Sequence, residues 1–267
     1  MNKMDEKYNK LIEYLRDLGN VAVAFSSGVD STFLLKVAHD TLGDKVVAIT
    51  LKSKIFPEWE QNESKEFCER EGIRQIIVEI DHLQFDDFTA NPKNRCYICK
   101  KRMFEKVISV ANENGFEHIL EGTNVDDLGD YRPGLKAVEE MHIKSPLKEV
   151  GLNKKEIRNL SKELGLSTFV KPSFACLASR FPYGELIDEK KLFMVEKAEC
   201  FLKAKGFRQV RVRIHGENLA RIEVDEDDIN KLVDFRIEID SFFRQLGFYY
   251  VSLDLRGYVM GNLNKNM

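Results

Sequence analysis

Six residues near the start of the chain, Ser26-Ser27-Gly28-Val29-Asp30-Ser31, set three hydroxyls, a glycine and a carboxylate between an apolar run and a helical pattern. A turn of this kind, where a strand ends and a helix begins, aims backbone N–H groups and the positive end of the helix dipole at one point. That point suits phosphate. Gly28 permits close approach to the backbone, and Ser26, Ser27 and Ser31 add hydroxyl donors. The lysine of the GxxxxGK(S/T) triphosphate loop is missing. Asp30 stands where it can hold a Mg2+ ion bridging phosphate oxygens. A serine-rich helix cap would look much the same, so the loop alone assigns no reaction.

Sulfur is the second chemistry on offer. Cys68, Cys96, Cys99, Cys176 and Cys200 are odd in number and unevenly spaced. This argues against a disulfide framework and for thiol chemistry, a metal or plain burial. Cys96-Tyr97-Ile98-Cys99 is a CxxC pair, which serves redox chemistry, half a zinc site or part of an iron–sulfur site. Zinc needs four ligands, and His82 and His118 are the nearest histidines in sequence, so a three-thiolate set suits these cysteines better. Cys176 lies in PSFACLASRFPYGE, a stretch with Pro172, Pro182 and Gly184 as loop signals and with aromatics and arginine in place of linker residues. Arg180 follows four residues later, and a neighbouring cation lowers a thiol pKa from its usual value of about 8.5. Cys68 and Cys200 fall in amphipathic helices and read as core.

These groups need elements to hold them. Tyr8, Leu11, Ile12, Leu15 and Leu18 recur at helical spacing, and Gly19 closes that helix. Strands are expected at 21–25, 46–51, 75–80 and 118–121, with helices between them at about 31–42, 58–71 and 100–114. Strand–helix alternation implies an α/β fold with a mostly parallel, doubly wound sheet, and ligands at the carboxyl ends of its strands. Asn153 opens a further helix that Gly165 closes. A helix from about Asp188 to Lys205, alternating strands in VRVRIHG and LARIEV, a helix near 226–246 and the strand YYVSLDL form a small C-terminal α+β unit. The division expected is 1–165 for the sheet domain and 166–267 for the loop and the small unit.

A chain of 267 residues with 43% hydrophobic residues supports an ordinary globular core. The net charge of −3 supplies no field that would draw the whole chain to nucleic acid. With no apolar leader and no run of 18 apolar residues, the expectation is a cytoplasmic protein that does not engage the membrane.

The six-residue loop resembles the SGGxDS pyrophosphatase loop of ATP-dependent adenylating enzymes, with Ser27 in place of the first glycine. EGTNVDD, residues 121–127, looks like the GTN-containing substrate loop of the same superfamily, and puts Asp126 and Asp127 forward as substrate residues or as turn caps. Nearly the whole chain resembles the ATP-dependent sacrificial sulfur transferases, the LarE family. The resemblance runs through SSGVDS, NPKNRCYICK, EGTNVDD, CLASRFPYGE, RVRIHG and the terminal LDLRGY.

The resemblance implies a PP-loop ATP pyrophosphatase fold that uses ATP and Mg2+. It implies transfer of AMP to the carboxylate of a pyridinium mononucleotide and release of pyrophosphate. Cys176 is then the nucleophile and, in single-cysteine members, the sulfur donor that becomes dehydroalanine. Some members have three active-site cysteines and resemble proteins holding a 4Fe-4S cluster, which here would fall to Cys96, Cys99 and Cys176. Arg211 and Arg213, on one face of VRVRIHG, would clamp the substrate phosphate bidentately, and Ser179 would add a hydroxyl. A solvated strand face is the plainer reading of that pair. A homo-oligomer is expected. The rivals are a tRNA thiolase of the same fold, which would need a basic face or an RNA-binding module, and an amidating synthetase, which would not need the cysteine loop. A non-catalytic nucleotide- or metal-binding module would not need Asp30 in an intact SSGVDS.

Overall fold

The computed structural model describes residues 3–129, 133–172 and 175–259. In chain order the regular elements are α1 (Lys3–Leu18), β1 (Val21–Ala24), α2 (Val29–Leu42), β2 (Val46–Lys52), α3 (Glu58–Glu71), β3 (Gln75–Glu79), α4 (Asp86–Thr89), α5 (Arg95–Glu113) and β4 (Ile119–Leu120). There follow α6 (Pro133–Glu140), α7 (Pro146–Glu149), α8 (Lys154–Glu163), α9 (Glu189–Ala204), β5 (Val210–His215), β6 (Leu219–Val224), α10 (Ile229–Asp234), α11 (Arg236–Leu246) and β7 (Tyr250–Leu253).

The first four strands make an all-parallel sheet in the order β3-β2-β1-β4. Val21 and Val23 of β1, with Val46 and Ala48 of β2, join a core built with Leu11, Leu15, Phe33 and Leu160. Ala22, Val47 and Ile49 turn to the other face, against Phe104, Val107 and Ala111 of α5. Both faces are covered, which is why these strands read as unbroken apolar runs. The fold is the α/β, doubly wound arrangement expected. The two strands nearest the phosphate loop, β1 and β4, are sheet neighbours although far apart in sequence. Their carboxyl ends flank the point where strand order reverses, the usual crevice for a ligand in an open parallel sheet.

The described chain falls into two compact units. One takes the residues up to Asp81 and from Asn94 to Pro172; the other takes His82–Lys93 and the residues from Ala175 on. Arg158 donates from Nη2 to the Lys171 carbonyl (2.8 Å), tying the residues after α8 back to it. His82–Lys93 joins the second unit through Asn91, whose amide donates to the carbonyls of Phe181 (3.4 Å) and Pro182 (2.6 Å). The second unit also contains a mixed sheet, in the order β5-β6-β7, with β5 antiparallel and β7 parallel to β6.

Element boundaries depart from the sequence reading in three places. Helix α5 begins at Arg95, because the Tyr97 and Ile98 N–H groups already bond the Asn94 carbonyl. The CxxC pair therefore lies in the opening turns of this helix. The helix expected at 226–246 breaks at Phe235, whose φ of −87° and ψ of 7° leave the helical range. Strand β4 is two residues long.

Candidate functional site

In the first unit β1 ends at Ala24 and α2 begins at Val29, so the Ser/Gly loop is the strand-to-helix turn the sequence implied. Gly28 is the N-cap of α2 in extended conformation, and no side chain caps the helix. The first N–H groups of such a helix have no intrahelical partner and can bind an anion. Ser31 Oγ donates to the Gly28 carbonyl (3.2 Å) and lies 3.1 Å from Ser26 Oγ, which draws the loop into a tight ring of hydroxyls. Ser27 takes a φ of +53°, a left-handed conformation costly for a residue with a Cβ. Two contacts hold it there. Ser27 Oγ donates to the Glu60 carbonyl (3.1 Å), and Lys171 Nζ donates to the Ser27 carbonyl (2.8 Å). Lys171 is fixed in turn by Glu63 (2.5 Å) and stands 5.1 Å from the Trp59 ring centre.

The EGTN segment closes over the loop from β4. A Cβ built on Gly122 would lie 2.9 Å from the Ser31 nitrogen and 3.2 Å from Asp30 Cβ, so only glycine fits this approach. Asn124 Nδ2 donates to Asp30 Oδ1 (3.3 Å). The buried carboxylate of Glu121 accepts from Ser145 Oγ (2.6 Å), Thr123 Oγ1 (2.8 Å) and the Thr123 N–H (3.0 Å), which stiffens the turn. Asp126 and Asp127 act as caps here. Asp127 accepts from the Asn124 N–H (3.0 Å), and Asp126 accepts from the Lys154 N–H (2.9 Å).

Asp30 forms an ion pair with Lys154, the first residue of α8. Burial pushes the Asp30 carboxyl up from its ordinary value, with the Lys154 ammonium pulling it down and the Asp127 charge adding to the rise. Mg2+ at phosphate sites binds one or two carboxylates, keeps waters and takes the rest of its shell from the phosphates. A partly buried Asp30 beside the uncapped N-terminus of α2, with a second carboxylate close enough to be felt, fits that demand. Among the described residues no group of three or more His, Cys, Asp and Glu side chains is gathered to hold a metal by itself.

Cys96 is exposed and Cys99 buried, three residues apart and so on one side of the first turns of α5. Cys99 Sγ is 3.5 Å from Met103 Sδ. A 4Fe-4S cluster would need these two thiolates and a third, and Cys176 belongs to the other unit. Cys68 is buried and its thiol is pushed up to about 12 by desolvation, as befits the core role expected of it. Cys200 is partly buried, and desolvation raises its thiol as well.

In the second unit Cys176 caps a short 3-10 turn, Leu177–Arg180, and its side chain is half-buried. Ser173 and Phe174 of the quoted motif lie outside the described residues. The Cys176 carbonyl accepts from the Ser179 N–H (3.0 Å), Ser179 Oγ (2.7 Å) and Arg180 Nη1 (3.3 Å). Ser179 thus shapes the turn, and its hydroxyl is engaged with Cys176. Arg180 is 1% exposed and makes a forked pair with Glu199, from Nε (2.7 Å) and from Nη2 (2.8 Å). The cation that the sequence set near the thiol is directed at backbone carbonyls and at a buried carboxylate. Burial alone would raise the Glu199 carboxyl, but the Arg180 guanidinium outweighs it and holds the group below its ordinary value.

Arg211 and Arg213 are not a solvated face: they are 2% and 6% exposed. Arg213 donates to Glu223 from Nη2 (2.8 Å) and to the Ser179 carbonyl from Nη1 (2.7 Å). Arg211 donates to the Val210 carbonyl (2.7 Å) and stacks its guanidinium 5.2 Å from the Tyr258 ring centre. Burial, and then the Arg180 charge, draw Arg211 down to about 10, so it stays protonated at neutral pH. Arg221 joins Glu223 (3.1 Å) and also pairs with Asp254. A strand carrying buried arginines against Glu199 and Glu223 can receive an anion at low desolvation cost, since the charges are already oriented.

Sequence reasoning missed Lys154, Lys171, Glu199 and Glu223. Glu199 carried a signal: it falls among the buried apolar residues Leu192, Val195, Ala198 and Leu202 of α9. No helix of the described residues is long and apolar enough to cross a membrane.

No protein-family model matches the chain. It is 36% identical over 268 residues to the pyridinium-3,5-bisthiocarboxylic acid mononucleotide synthase of Lactiplantibacillus plantarum, covering 100% of this chain and 97% of that one. An uncharacterised protein of Synechocystis is 41% identical over 265 residues, 98% of each chain. One of the subunits of the glutamine-hydrolysing GMP synthase of Thermoplasma volcanium is 27% identical over 169 residues, 58% of this chain and 54% of that one.

Proposed function

The chain belongs to the LarE family of pyridinium-3,5-bisthiocarboxylic acid mononucleotide synthases, and on that premise we propose that it adenylates a pyridinium carboxylate mononucleotide and installs sulfur on it for the nickel-pincer cofactor. The observation that carries the reading is the meeting of two loops at neighbouring parallel strands, with Gly122 against Ser31 and Asn124 on Asp30. Ser26, Ser27, Gly28 and Ser31 form the cradle for the leaving pyrophosphate. Asp30 would hold Mg2+, which would supply charge neutralisation to the phosphates.

The substrate carboxylate attacks the α-phosphorus of ATP, giving the acyl adenylate and pyrophosphate. The Cys176 thiolate attacks the activated carbonyl, forming a thioester and expelling AMP. Loss of the Cys176 α-proton then breaks the Cβ–S bond. Sulfur leaves with the substrate as thiocarboxylate, and dehydroalanine stays in the chain. Arg211 and Arg213 hold the substrate phosphate, and Arg180 with Ser179 fixes the backbone from which the thiol projects.

A second reading starts from the CxxC pair, with Cys96 exposed and Cys99 buried in α5. Here these two thiolates, with a third, would hold a 4Fe-4S cluster, which would supply the sulfide in place of a cysteine. Turnover with excess pyridinium mononucleotide and ATP, followed by product analysis and intact-protein mass spectrometry, tests both. AMP and pyrophosphate support adenylation; ADP would end it. A Cys176 peptide that has lost the elements of hydrogen sulfide, in step with product, supports sacrifice. An unchanged Cys176 with iron and sulfide in anaerobically purified protein supports the cluster.

A further inference from the structure

The phosphate loop lacks a lysine of its own, yet a lysine stands against it. The Lys154 ammonium reaches Asp30 from α8, 124 residues along the chain. Its backbone is held firmly: Asn153 and Glu156 form a reciprocal capping box, Lys7 pairs with Glu156 at 2.7 Å, and the Lys154 N–H is bonded to Asp126. Its ammonium is held lightly. Asp30 is the one protein acceptor found for it among the described residues, and the side chain keeps 28% exposure. Lys171 differs, with the Ser27 carbonyl, Ser27 Oγ and Glu63 around its ammonium and only 11% exposure. Lys171 is a fixed strut and Lys154 an exchangeable cation. Arg158, one helical turn on, is anchored on the Phe169 and Lys171 carbonyls.

Asp30 keeps only 20% exposure, and a partly desolvated carboxylate that must receive a divalent ion is costly to leave unpaired beforehand. We propose that Lys154 is a placeholder: it neutralises Asp30 while the site is empty, yields it to the metal that enters with the nucleotide, and turns its ammonium to the polyphosphate. The exchange asks only the lysine stem to pivot on a fixed helix start, beside an Asp30 that also accepts from Asn124 Nδ2. The inference deepens the adenylation reading and rests on it.

Exchange of partners gives Lys154 opposite effects on two ligands, which a structural residue would not have. Mn2+ alone, titrated into the nucleotide-free protein by electron paramagnetic resonance, competes with the ammonium for Asp30. Lys154→Gln should therefore tighten Mn2+ binding roughly tenfold, as expected when a unit charge is removed beside a divalent ion under screened, water-like conditions. The same variant should bind α,β-methylene-ATP with Mg2+ roughly 10- to 150-fold more weakly, having lost a charge-assisted contact. Lys154→Arg, which keeps the charge, should hold Mn2+ affinity at the wild-type level and recover part of the nucleotide affinity. Asp30→Asn should abolish this Mn2+ binding, leaving the free-ion signal undiminished, and so identifies the site observed. Weaker or unchanged Mn2+ binding in Lys154→Gln overturns the placeholder. If the wild type binds no α,β-methylene-ATP, the adenylation reading itself has failed.

Discussion

Replacing Glu199 with glutamine should damage the second unit far more than its conservative shape suggests. The carboxylate is 3% exposed and accepts two bonds from Arg180, at 2.7 and 2.8 Å, and one from the Val212 N–H at 2.9 Å. Glutamine keeps the volume and one acceptor, but it leaves the Arg180 guanidinium buried with no counter-charge in the fork. Breaking one half of a buried pair costs about 3–5 kcal/mol, a large part of the roughly 5–15 kcal/mol that holds a domain together. For a chain of this size that corresponds to a fall in melting temperature of roughly 6–20 °C. Acid should narrow the gap. The folded Glu199 carboxyl sits below its ordinary 4.5, so its stabilisation is complete above that value and disappears as pH falls through the lowered folded value. The assay is urea denaturation of both proteins from pH 7 down to pH 3. A difference under about 1 kcal/mol at pH 7, as for an exposed pair, would refute the reasoning; so would a gap that does not shrink in acid. The double variant Arg180→Met, Glu199→Leu removes both charges. It should regain much of the stability while staying poor in sulfur transfer, because the Cys176 carbonyl has lost its Arg180 donor.

Gly122→Ala should cost about 1–3 kcal/mol through overpacking and should weaken ATP binding with it, read by calorimetry; full ATP affinity would show that the 2.9 Å approach to Ser31 is not needed. Iodoacetamide at pH 8 should label exposed Cys96 readily and leave Cys68 intact, since burial has driven the Cys68 thiol to about 12 and suppressed its thiolate. Peptide mapping of the native protein checks this, and early labelling of Cys68 would contradict it. Arg211→Ala should weaken binding of the pyridinium mononucleotide roughly 10- to 150-fold, from the loss of one charge-assisted contact, and spare ATP. An equal loss of both ligands would remove Arg211 from the substrate side.

Most of the sheet domain was legible because its strands are apolar on both faces and its turns carry their own chemistry. Asn153 announced α8, and Ser26 to Ser31 announced the phosphate end. What stayed hidden was pairing across distance. Lys154 and Lys171 look like solvated charges in amphipathic or loop sequence, and nothing local shows that they meet residues 124 and 144 positions away. Arg211 and Arg213 misled in a milder way: alternation with valine is shared by an exposed strand and by a buried one with internal counter-ions. The break at Phe235 was hidden as well, since residues on both sides keep helical character and only the backbone turn at 235 separates α10 from α11.

The membership of His82–Lys93 in the second unit bears on how the molecule is made. Asn91 leaves the ribosome well before its acceptors Phe181 and Pro182, which come about 90 residues later. At 5–20 residues per second that is a wait of roughly 5–18 s. During it Phe88 and His82, both fully buried in the finished fold, have no completed core to enter. The first unit, meanwhile, must form around an excursion that it does not keep. Synthesis therefore imposes an order, parallel sheet first and small unit last. A fragment beginning at Ala175 would lack an interior piece of its own core, so the second unit is not separable by cutting the chain once.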